Sequence, residues 1–75
     1  MKSYNISLNS IEKVKNFVNI ISTCDGDFDL ASDRYVVDAK SIMGIFSLDL
    51  SKTLRLDALK GASADLEAKL KDFLV

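Results

Sequence analysis

Asp38-Ala39-Lys40-Ser41-Ile42-Met43-Gly44-Ile45-Phe46-Ser47-Leu48 is the stretch on which the fold turns. It joins the end of an alternating segment to a short apolar one. Residues 41–47 read as a short helix with Ser41 near its start, where a hydroxyl can satisfy a free backbone donor. Upstream, Phe28 and Leu30 alternate with aspartates, as in a half-buried strand. Ser32-Asp33 is a tight turn, so residues 34–39 should pair back as a hairpin. Tyr35, Val37 and Ala39 would then face one side, and Val36 and Asp38 the other. Downstream, residues 53–58 alternate again, with Leu54, Leu56 and Ala58 inward.

The pattern continues to both ends of the chain. Residues 2–8 alternate, with Tyr4, Ile6 and Leu8 on one face and Ser3, Asn5 and Ser7 on the other. Asn9 reads as a helix N-cap with Glu12 at the third helical position of a capping box. Ile11, Val14, Val18 and Ile21 follow at helical spacing, widened by Phe17, and are expected to pack into the core. Asp25-Gly26-Asp27 is a turn and Lys60-Gly61 a loop. Ser63 is a candidate cap for a last helix with Leu66, Leu70, Phe73 and Leu74 on its apolar face. Lys69 and Lys71 lie in its second half, where cations suit the helix dipole. The order is β-α-β-β-α-β-α. A sheet with one apolar face needs helices over that face. The expected fold is α+β, a four-stranded antiparallel sheet covered on one side, with residues 1–75 forming one domain.

Composition narrows what such a domain can do. At 75 residues the chain has room for one small core and little depth for an active site. Its net charge of −1 gives no overall drive toward nucleic acid or anionic membrane. The apolar runs are too short to span a bilayer, and the start lacks the apolar core of a secretion signal. One cysteine, Cys24, cannot form an internal disulfide, which fits a reducing cytoplasm. On this basis the match of Asn5-Ile6-Ser7 to a glycosylation sequon is read as chance.

The segment from Val36 to Leu50, and above all Lys40-Ser41-Ile42-Met43-Gly44, resembles the regulatory-serine region of HPr, the histidine-containing phosphocarrier of the bacterial sugar phosphotransferase system. The length and element order agree with that family's open-faced β-sandwich. The family works by carrying phosphate on a histidine, yet this chain contains none. The family's histidine precedes its regulatory serine by 31 positions, which counted back from Ser41 reaches Ser10. The flanking arginine and proline of the family are replaced by Glu12 and Lys13. The loop Ser51-Lys52-Thr53 is also short beside the family's, which often carries a glycine turn there.

That replacement has a chemical meaning. Histidine holds phosphate through a labile N–P bond, and arginine grips the oxygens with a fixed charged fork. Serine forms a stable ester, a poor donor for onward transfer, and Glu12 puts negative charge where a phosphate needs positive. A phosphohistidine relay through this chain is excluded. A carrier using another acceptor would have Ser10 as its one positional candidate.

The resemblance implies that Ser41 is the family's regulatory serine, phosphorylated by an ATP-dependent HPr kinase to create a form that binds a transcriptional regulator. A helix start offers free N–H groups to a phosphate, and Lys40 adds a nearby cation. The plainer reading is that Ser41 is only a cap, and one residue can be both. The resemblance places Ile42, Met43 and Phe46, with Lys40, in a partner-docking patch. Whether two or more of Ile42, Met43, Ile45 and Phe46 stay exposed, or the small core takes them, is left open by the sequence.

Other candidates are weaker. Asp25, Asp27 and Asp29 lack the spacing and distal glutamate of a calcium loop, and read as a solvated strand face that also guards an edge against mispairing. Cys24 has no histidine to activate it. No metal site, cofactor or enzymatic activity is expected. The expected role is a cytoplasmic bacterial module, monomeric, contacting proteins of the phosphotransferase system or of carbon-catabolite regulation, with no nucleic-acid or membrane partner. Its rival is a decoy that competes with HPr at shared partners without being modified.

Overall fold

The computed structural model describes residues 2–60 and 65–75. The expected order is found: β1 (Lys2–Ile6), α1 (Ile11–Ser22), β2 (Asp27–Ala31), β3 (Val36–Asp38), α2 (Ile42–Phe46), β4 (Leu54–Lys60) and α3 (Leu66–Lys69). Among the described residues the strands form one antiparallel sheet in the order β1-β4-β2-β3. Alternation puts Tyr4, Ile6, Phe28, Leu30, Leu54, Leu56 and Ala58 on one face, all buried. Val14, Phe17 and Ile21 of α1, Ile45 of α2 and Leu66 of α3 join them in one cluster with Leu70 and Phe73. Phe17 meets Phe73 edge to face, with centroids 5.8 Å apart.

Several boundaries differ from the sequence reading. The helical ladder of α1 starts at Ser10, whose carbonyl accepts from Val14 N–H, so Ser10 rather than Asn9 is the N-cap. Asn9 and Ser10 are both good cap residues, and the backbone turn selects the second. Glu12 therefore sits at the second helical position, outside a capping box. Ile11, in the first turn, is exposed, while Val18 only borders the core. β1 closes at Ile6 because Ser7 N–H turns to Phe73 O instead of the sheet, though Leu8 is still fully buried. Tyr35 is 61% exposed and does not join Val37 and Ala39 inward. Its carbonyl accepts from Ser32 N–H and closes the turn, so β3 begins only at Val36.

Lys60 ends β4, paired opposite Asp27, and is not loop. β2 lies between β4 and β3, so its aspartates guard no edge. The expected cap at Ser63 lies outside the described residues. The last helix stops at Lys69, which leaves Lys71 beyond it. Backbone bonds explain the stop: Leu74 bridges to Ile6 and Val75 N–H reaches Asn5 O, which draws the chain out along β1.

The uncovered face of the sheet carries one linked polar group. Asp57 is 6% exposed although it is charged. Its Oδ1 accepts from Ser3 Oγ at 2.7 Å and from Arg55 Nε at 3.0 Å. Burial, the largest effect, raises the Asp57 carboxyl, but the Ser3 hydroxyl and the Arg55 guanidinium together outweigh it and hold the carboxyl below its ordinary value.

Candidate functional site

The segment from Asp38 to Leu48 is built by a chain of local bonds. Asp38 ends β3 and turns the backbone twice: its carboxylate accepts from Lys40 N–H at 2.9 Å and its carbonyl from Ser41 N–H at 3.0 Å. Ser41 is extended at the head of α2, and its Oγ accepts from Gly44 N–H at 3.2 Å. A Cβ at position 44 would stand 3.3 Å from Ser41 Oγ and 3.3 Å from Val37 Cβ. Glycine there lets α2 close on β3 while the serine keeps its capping rotamer. Ser47 Oγ donates to Gly44 O at 2.5 Å and finishes the helix.

This places the expected residues in two groups. Ser41 is exposed, with its hydroxyl proton still available. Met43 is 77% exposed and Phe46 40%, so these two form the open apolar pair. Ile45 is fully buried, and Ile42 is half-buried against the core. In the fold α2 turns one face inward, so Ile42 and Ile45, three apart, share it and Met43 and Phe46 lie off it.

Lys40 does not serve Ser41. Its Nζ donates to Cys24 O at 2.9 Å and Gly26 O at 3.2 Å, and stands 5.7 Å from the Phe28 ring centroid. The cation ties the turn after α1 to the β3–α2 junction. Sequence reasoning missed this because the partners are 14 and 16 residues away. The Ser3–Asp57–Arg55 group was also missed. Its signal was present: opposite charges two apart on a strand share a face.

Ser10 occupies a different setting. It is exposed and caps α1, with Oγ accepting from Lys13 N–H at 3.1 Å. It lines an open groove of about 580 Å³ with Glu12, Lys13, Asn16, Asn19 and Asp72, over a floor of Ile20 and Phe73. The lining offers two carboxylates and one ammonium, with no guanidinium fork to hold phosphate oxygens. Cys24 is buried, and its Sγ faces Ile20 O at 3.5 Å. Among the described residues no three of the aspartate, glutamate or cysteine side chains are grouped to hold a metal ion, Asp25, Asp27 and Asp29 included. No described helix is long and apolar enough to cross a membrane.

No family model matches the chain, and no curated protein does. Among solved structures it is similar to the crystal structure of HPr-C-His from Thermoanaerobacter tengcongensis. The TM-score is 0.71 at 29% sequence identity, covering 95% of this chain and 84% of that one. Topology, helix placement and this likeness agree: the chain has an HPr-like fold.

Proposed function

We propose that this chain is a non-catalytic regulatory and docking module related to the bacterial phosphotransferase system, switched by phosphorylation at Ser41 and unable to relay phosphohistidine. The observation that carries this reading is the exposed Ser41 hydroxyl at the head of α2, with Met43 and Phe46 open on the same short helix. A phosphate on Ser41 adds charge beside a partner-sized apolar pair without disturbing the core, since the inward side chains of α2 are Ile45 and, in part, Ile42. The HPr-like fold points to a kinase and a regulator of sugar use as partners, and to the bacterial cytoplasm as the place of action.

Intact-protein mass spectrometry tests this beside an authentic HPr. One reaction holds ATP and HPr kinase, the other phosphoenolpyruvate and Enzyme I. One phosphate is expected from the kinase alone and none in Ser41→Ala. Phosphate from Enzyme I, lost in Ser10→Ala, would instead make Ser10 a carrier.

The position of Lys40 favours a second reading, a decoy. Its ammonium is committed to Cys24 O and Gly26 O, so the cation next to Ser41 in sequence is not free for a phosphate there. A decoy would compete with HPr at a shared partner through Met43 and Phe46, and Ser41→Ala would compete as well as the parent chain. Under the switch reading, Ser41→Ala loses the kinase-dependent partner.

A further inference from the structure

A second cleft, of about 370 Å³, lies between the β2–β3 turn and the loop after α2, away from Ser10. Its hydrogen-bonding capacity is unevenly spent. Ser32 Oγ already accepts from Tyr35 N–H at 3.2 Å and Arg34 N–H at 3.4 Å. Ser47 Oγ donates its proton to Gly44 O. Asp49 Oδ1 takes both the hydroxyl and the amide of Ser51, at 2.6 and 3.1 Å. Those bonds, the hydroxyl's first, hold the Asp49 carboxyl below its ordinary value, with the Lys52 ammonium adding to the effect.

Two cations of the lining are left over. Among the described residues, Arg34 and Lys52 are both exposed and neither has an ion pair. Tyr35 presents an exposed ring at the same cleft. The unspent groups are thus mostly donors: a guanidinium fork, an ammonium and a phenol. Against them stand two carboxylates of the lining, Asp33, without a hydrogen bond among the described residues, and Asp49, which is bonded to Ser51 and feels the Lys52 charge.

We propose that this cleft is an oxyanion site for a phosphate monoester, gripped by the Arg34 fork and the Lys52 ammonium, with the ester's organic group against Tyr35. Bidentate guanidinium contacts suit phosphate geometry, and an adjacent ammonium adds a point charge. Asp33 and Asp49 oppose the ligand and set its affinity low. The ester has two chemical sources, a free small molecule or a phosphorylated side chain of another protein. The site does not depend on Ser41 being modified.

The test is an amide NMR titration of the unphosphorylated chain in low salt with two probes, phenyl phosphate and a phosphoserine pentapeptide. Saturable shifts confined to residues 32–35 and 47–52 are expected with at least one probe. The tighter probe identifies the source. The double variant Arg34→Ala, Lys52→Ala, exposed at both positions, should weaken binding tenfold or more, while Asp33→Asn should tighten it. The same titration in Ser41→Ala should be unchanged, which separates this site from the regulatory reading. Non-saturating shifts, shifts centred elsewhere, or equal binding by the double variant would overturn the proposal.

Discussion

Ser10 and Ser41 are the same device in two places. Each heads a helix in extended backbone, and each hydroxyl accepts from the amide three residues on, at 3.1 and 3.2 Å. The helices they head differ. α1 runs twelve residues and is pinned by three buried side chains, Val14, Phe17 and Ile21, whereas α2 runs five and has one, Ile45, with half-buried Ile42 beside it. Ser10 opens on a groove with two carboxylates, and Ser41 on the exposed Met43 and Phe46. A helix cap is therefore a local fact that says nothing about function. Function depends on how firmly the helix is held and on what its free face presents.

The largest effect should come from breaking the anchor of the weaker helix. Ile45→Ala removes the one fully buried side chain of α2 and is expected to cost about 2–5 kcal/mol. In a domain this small that is a large share of the total stability. Urea denaturation gives the loss. Amide exchange should show α2 opening first, with α1 still protected. If α1 and α2 lose protection together, α2 is not an element that opens separately from α1.

A smaller effect comes from Lys40, the link between the end of α1 and the start of α2. Lys40→Met keeps most of the apolar stem and loses both bonds to Cys24 O and Gly26 O. Bonds from a charged donor contribute about 1.5–3 kcal/mol, so a drop in that range is expected, with faster exchange in the turn after Ser22. The variant also bears on how the two helix starts differ in function. If Lys40 stays on its carbonyls after modification, the penalty is equal in the unmodified and kinase-treated protein. A larger penalty in the phosphorylated form would mean that the ammonium turns to the phosphate.

Ile45 and Lys40 also mark where the sequence stops being legible. The seven elements and the inward faces of the strands follow from apolar periods of two and of three to four residues. The length of α1 gave that period enough turns to mark Val14, Phe17 and Ile21 as core. α2 is too short for a period to declare itself, so the split between buried Ile45 and exposed Met43 had to come from the fold. Asn9 and Ser10 are chemically equivalent as caps, and only backbone direction separates them. Lys40 reads as a loose cation beside Ser41 until the turn after α1 is brought next to it. The early end of α3 depends on pairing between the chain's two ends, at Ile6 and Leu74. In each case the missing information is tertiary, a neighbour distant in sequence.

The finest test replaces the caps themselves. Ser10→Ala and Ser41→Ala each remove one bond to a helix-start amide and should each cost about 1 kcal/mol. A loss of that size lowers the melting temperature of so small a domain by about 4–8 °C. Equal costs should have unequal reach. In Ser10→Ala, faster exchange should stay near Lys13, because three buried anchors hold the rest of α1. In Ser41→Ala it should spread over Gly44 and Ile45, since one turn is most of α2. Aspartate separates the sites further, because it caps as well as serine and adds a charge. At position 10 that charge meets the positive end of a three-turn helix, a gain of about 0.3–1 kcal/mol, with Lys13 in the same groove partly offsetting Glu12 and Asp72. At position 41 the dipole is short and Asp38 stands nearby in register with Asp29, so the gain is opposed. Ser10→Asp should match or exceed the parent in stability, and Ser41→Asp should fall below it. The reverse order would mean that the start of α2 is already built to receive negative charge, and would strengthen Ser41 as the regulatory position on physical grounds alone.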